Sequence, residues 1–95
     1  MEYKKAKIWW AEGKAALPTK SLRYITVAKF DEDTDKGTDV WSVVVEFESS
    51  EAVTETPAVC KIKFLAEGGP ETRLSTGKIL KLYEGRTLSA TVVIM

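Results

Sequence analysis

The sequence predicts an all-β chain, a small antiparallel barrel of six strands. Three observations predict it. Short apolar runs alternate with polar residues about every second position, turn signals separate these runs, and no segment of ten or more residues carries a helical period. With 95 residues there is room for one domain and one modest core, burying roughly 60–65% of the unfolded surface. A single domain spanning 1–95 follows. Six strands of this size gain most by closing on themselves, since closure removes exposed sheet edges.

The first strand is expected over Tyr3–Trp10. Ala6, Ile8 and Trp10 share one face, and Tyr3, Lys5, Lys7 and Trp9 share the other. Adjacent tryptophans on a strand point to opposite sides. One of Trp9 and Trp10 therefore enters the core, and the other lies under the following loop, at the surface or at an interface. Gly13 and Pro18 mark a loop. A second strand, Leu22–Phe30, has Leu22, Tyr24, Thr26, Ala28 and Phe30 on one side, with Ile25 and Val27 on the other. Such a strand is covered on both faces, or its outer face receives a partner.

Asp31–Asp39 holds five acidic residues in nine positions, four of them aspartates. Asp31, Asp33 and Asp35 have the spacing of the first calcium ligands of an EF-hand. Lys36 replaces the required glycine, however, and Ser42 the terminal acidic ligand. A solvated hairpin loop is expected, with a weak cation site as the alternative. Val40–Glu48 reads as the third strand, with Trp41, Val43, Val45 and Phe47 inward and Ser42, Glu46 and Glu48 outward. Ser49–Pro57 reads as a polar loop. In the next strand, Ala58–Leu65, Cys60, Ile62 and Phe64 point in while Lys61 and Lys63 point out, within reach of Glu46 or Glu48 across strands. Gly68-Gly69-Pro70 is turn chemistry. Lys78–Met95 closes the chain as a hairpin about Glu84-Gly85, with Leu80 and Leu82 on one core face and Leu88, Ala90, Val92 and Ile94 on the other.

Histidine is absent and Cys60 is the one cysteine. The usual general base, the Ser-His-Asp and Cys-His arrangements and an internal disulfide are thereby excluded. Cys60 reads as an inert core thiol. No apolar run approaches the ~20 residues of a membrane-spanning helix. The Met-Glu-Tyr-Lys-Lys-Ala-Lys start has no signal-like apolar stretch, so a cytoplasmic protein without membrane contact is expected. Net charge is zero but segregated. Residues 1–30 carry seven basic and two acidic residues, 31–57 one and nine, and 58–95 six and three.

Two stretches resemble one family. Glu12-Gly13-Lys14 with Pro18 and then the strand Arg23–Phe30 is similar to the start of the C-terminal β-barrel domain of elongation factor Tu. Ile79–Tyr83, the turn Glu84-Gly85-Arg86-Thr87 and the apolar strand to the end are similar to that domain's last hairpin. The first loop and the last turn each carry one glycine where the family has two, and Tyr-Ile-Thr follows Arg23 in place of Pro-Gln-aromatic. The resemblance implies a six-stranded barrel, and Arg23 and Arg86 match family arginines. In the factor this barrel contacts the tRNA stem and the GTPase domain. Here no Walker-type phosphate loop is present, so the chain is not itself a GTPase.

The expectation is a non-catalytic, cofactor-free module that docks on another protein, with Trp9, Trp10, Arg23, Tyr24 and Arg86 as candidate contacts. RNA contact is the alternative. It would run through Lys4, Lys5, Lys7, Lys14, Lys20 and Arg23, interleaved with Tyr3, Trp9, Trp10 and Tyr24. Zero net charge and the acidic middle oppose it. An inhibitor or immunity protein, whose acidic loops Asp31–Asp39 and Glu46–Glu55 cover a basic site, is a further alternative. No paired catalytic carboxylates or activated nucleophile stand out.

Overall fold

A computed structural model describes residues 3–12, 17–30, 40–66 and 73–95. The acidic loop Asp31–Asp39, Gly13, Lys14 and the Gly68-Gly69-Pro70 turn lie outside these residues. The strands are β1 (Lys4–Trp10), β2 (Arg23–Phe30), β3 (Trp41–Glu46), β4 (Ala58–Phe64), β5 (Ile79–Glu84) and β6 (Thr87–Ile94), with a short helix α1 (Ser50–Thr54) between β3 and β4. They close into an antiparallel barrel in the order β1-β4-β3-β2-β5-β6, and β6 returns to β1. Three neighbouring pairs, β2–β3, β3–β4 and β5–β6, follow one another in sequence. The other ladders join distant segments, with Ala6 opposite both Cys60 and Ile94.

The period of two that marks each strand also fills the barrel. Ala6, Ile8, Val43, Val45, Ile62, Leu80, Leu82 and Val92 are fully shielded in the interior. Aromatic clusters plug both ends. At one end Trp10 meets Tyr24 edge-on, with ring centroids 5.3 Å apart, and Phe47 at 5.9 Å. At the other, Trp41 and Phe30 pack on Phe64 at 5.7 and 6.3 Å, and the Arg73 guanidinium sits 3.9 Å over the Phe30 ring. Among the described residues, the Trp41 Nε1–H is buried there without an acceptor.

Two expectations are corrected. Ser49–Pro57 is not wholly a loop, because Ser49 caps a helical turn. Its hydroxyl accepts the Ala52 N–H at 3.1 Å, Glu51 favours the positive end of the turn, and Val53 is buried beneath it. Trp10 ties the helix down by donating its indole N–H to the Val53 carbonyl at 2.9 Å. A five-residue helix is too short to display a 3.6-residue period, which is why alternation missed it. Leu88 does not face the core. The register slips so that Leu82 opposes Ala90 while Tyr83 opposes Leu88, which leaves Ser89 as the extra residue of a bulge. Ser89 is buried in place of Leu88, and its hydroxyl donates to the Leu82 carbonyl at 3.2 Å.

Turn geometry explains two positions. Gly85 has φ +64° while Arg86 stays in the ordinary region. A two-residue hairpin loop with positive φ at its first position matches the right-handed twist of the flanking strands. Leu22 also adopts a left-handed conformation, φ +58°, costly for a branched side chain by about 1–2 kcal/mol. It is held there because its N–H donates to the Pro18 carbonyl and its carbonyl accepts the Phe47 N–H, both at 2.9 Å. Gly85→Ala, which would meet no atom within 4 Å, isolates the backbone term. It is expected to lower the free energy of unfolding by about 1 kcal/mol in urea titrations, with Gly85→Asn costing less.

Candidate functional site

Filling the barrel confines the surface chemistry to its outer wall, and the ladders specify which outward side chains meet. Across β5, β6, β1 and β4, one row runs Ile79, Val93, Lys7, Val59, and the next runs Lys81, Thr91, Trp9 on the first three strands. Residues directly opposite in such ladders stand about 4.5–5.5 Å apart, so the rows are contiguous. Trp9 is 38% exposed, Ile79 37% and Val59 49%, while Val93 is half-buried. The result is a mixed patch, with Ile79 and Val93 on one side of Lys7 and Val59 on the other, and with Trp9 on the adjoining row opposite Thr91. A second outward apolar group lies on β2, where Ile25 is 51% and Val27 37% exposed, next to Tyr83 and Leu88. The outer face of β2 is thus left uncovered at these two residues. Its neighbour Val44 also points outward, opposite Ile25 and Lys63, yet is fully buried.

The basic residues gather on the strands. Lys5 stands directly opposite Lys61, Lys7 is next along β1, and Lys63 next along β4. Like charges placed directly opposite repel. The Lys61 and Lys63 ammonium groups lie 5.7 and 4.6 Å from the centre of the Tyr3 ring. Glu46, opposite both Lys61 and Arg23, pairs with Arg23 at 3.6 Å. Among the described residues, Lys5, Lys7 and Lys61 make no ion pair, so the proposed pairing of Lys61 and Lys63 with Glu46 or Glu48 is replaced by contact with an aromatic ring. Burial first, and then the bond to Glu46, raise the Tyr3 phenol above its ordinary pKa. Beside the lysines, a cleft of about 300 Å³ opens over β4, with Lys5, Val59 and Lys61 on one side and Glu46, Glu48 and Glu55 on the other.

The five candidate contacts separate. Trp9 is on the outer wall. Trp10 and Tyr24 turn inward and pack on each other, because the strand period gives them the core face. The Tyr24 hydroxyl donates to the Glu84 carboxylate and touches the Ser89 hydroxyl at 2.8 Å; burial first, then Glu84, raises its pKa. Trp10 and Tyr24 therefore offer no stacking platform at the surface. Arg23 is outward but engaged by Glu46, and Arg86 is exposed in the last turn, away from Trp9. Sequence reading missed the β4 lysines as neighbours of Lys5 and Lys7. Alternation places all four outward, but only the β1–β4 register brings them together.

Cys60 is buried, with its thiol donating to the Ala6 carbonyl at 3.5 Å. Burial pushes the thiol pKa from 9.0 up to about 12. Among the described residues there is no group of three His, Cys, Asp or Glu side chains able to hold a metal, and no helix long and apolar enough to cross a membrane. No protein-family model, curated protein or solved structure matches the chain.

Two measurements test this description. In a Trp10→Phe/Trp41→Phe variant, acrylamide is expected to quench the remaining Trp9 readily in the folded state; a Trp9→Phe/Trp41→Phe variant, reporting Trp10, should be quenched several-fold less. Because the folded thiol holds its proton to a higher pH than the unfolded one, its contribution to stability is complete below pH 9 and lost as pH rises toward 12. The urea midpoint of the protein should therefore fall more steeply over that window than that of Cys60→Ala.

Proposed function

We propose that the chain is a non-catalytic docking module that binds another protein through the outer wall of β5, β6, β1 and β4, with Trp9 as the anchor. The observation that carries this reading is the exposed Trp9 with Val93 and Val59 diagonal to it on the neighbouring strands, all on one outward face. Tryptophan is enriched among the few residues that dominate binding energy, and aliphatic neighbours exclude water around it. A closed barrel has no free edge to add a strand, so recognition falls to side chains. The resemblance to the C-terminal barrel of elongation factor Tu supports a barrel that works by docking, and it assigns no nucleotide chemistry to this chain. A cytoplasmic setting fits the single free thiol.

Capture from native lysate by the tagged protein tests the reading. A stoichiometric partner is expected, with Trp9→Ala and Val59→Ser each weakening capture at least about tenfold while circular dichroism stays unchanged. Capture that survives both substitutions would falsify the docking face.

A further inference from the structure

We propose that the partner presents an acidic polypeptide segment carrying apolar side chains, its carboxylates meeting Lys5, Lys7 and Lys61 while its apolar groups cover Trp9 and Val59; this rests on the docking reading above. Lys5 and Lys61 face each other across the β1–β4 ladder, and among the described residues no carboxylate pairs with either. The nearest cross-strand acid, Glu46, is committed to Arg23 at 3.6 Å. A directly opposed like-charged pair destabilises a sheet, and a bound carboxylate between the two ammonium groups would turn the repulsion into attraction.

The surroundings say what else the ligand carries. Lys5, Lys7 and Trp9 form one outward line along β1, and Val59 and Lys61 a second along β4, so charge and apolar surface alternate within a few ångströms. The cleft of about 300 Å³ at Lys5, Val59 and Lys61 admits a side chain, and because Glu46, Glu48 and Glu55 also line it, that side chain is an apolar one while the segment's carboxylates stay on the Lys5–Lys7 side. A nucleic acid matches this wall less well. Trp9 is its one uncovered ring, because the Tyr3 ring lies under the Lys61 and Lys63 ammonium groups. Val59, Val93 and Ile79 offer no stacking face, and Glu46 and Glu48 end the basic track on the β3 side. A short acidic and apolar segment satisfies both the lysines and the aliphatic patch.

The test is an amide-shift titration of the full chain with a random copolymer of glutamate and tyrosine, run in parallel with polyuridylate and poly-L-lysine. Saturable shifts at Lys5–Trp9 and Val59–Lys61 are expected with the copolymer alone, weakening as salt rises. Lys5→Glu supplies the decisive variant. It places a carboxylate opposite Lys61, so the thermal midpoint is expected to rise while copolymer affinity falls about tenfold or more, a combination that misfolding cannot produce. Tighter binding of polyuridylate at these residues, absence of saturable shifts with the copolymer, or a lowered midpoint in Lys5→Glu would each overturn the proposal. If these fail while capture still depends on Trp9, the acidic partner is wrong and the docking face stands; if capture loses its dependence on Trp9, the docking face itself is wrong.

Discussion

The constraint on which the structure depends is closure through β1. This strand pairs with β4 on one side and with β6 on the other, and so closes the five-strand run β4-β3-β2-β5-β6 into a ring. Remove it, and β4 and β6 become bare edges with unpaired backbone groups. Both of its ladders are long-range, linking Ala6 to Cys60 and to Ile94, so the chain must meet their loop-closure entropy before the barrel gains its interior. The alternation of β1 is correspondingly strict, with Ala6 and Ile8 wholly buried and Lys5 and Lys7 outside. A one-residue slip would put both lysines into the core.

Closure also decides where chemistry can reside. The interior is packed with aliphatic groups and both mouths carry aromatic plugs, so the wall is where recognition has room. On that wall the residues fall into a pattern that single strands do not reveal. β1 contributes lysines and a tryptophan, β4 lysines and a valine, and the end of β3 with the residues after it Glu46 and Glu48. Their combination makes a surface that is basic, apolar and acidic in adjoining strips, although the chain as a whole is neutral.

Much of this was legible in the sequence, because a strand's period is short and each inward set is apolar. The inward faces of Trp41–Phe47, Ala58–Phe64 and Leu80–Leu82 follow from alternation alone, as does the burial of Cys60. What escaped belongs to interactions that alternation does not encode. The Ser89 bulge exchanges Leu88 for a serine whose hydroxyl finds a carbonyl, and a two-residue period carries no sign of an inserted residue. The cap at Ser49 was visible only as a serine ahead of Glu51 and Ala52. The pairings of consecutive strands were legible, the last hairpin above all, but the long-range ladders were not, and with them went the juxtaposition of Lys5 and Lys61, which lie far apart in the chain. The choice between Trp9 and Trp10 stayed open in the sequence reading, although Trp10 shares the face of Ala6 and Ile8 and Trp9 that of Lys5 and Lys7, the pattern the barrel follows.

The thiol of Cys60 has a consequence of a different kind. It reaches the Ala6 carbonyl across the same β1–β4 seam that carries the two opposed lysines. While that seam is shut, the sulfur is shielded and protonated, and alkylating reagents find no thiolate. When β1 lifts away, the sulfur is released. Its labelling rate is therefore a native clock for opening at one seam, readable without any introduced probe and separable from global unfolding by its dependence on denaturant. A carboxylate settling between the lysines would slow that clock, so the breathing of the barrel and the occupancy of its wall can be followed from one sulfur atom.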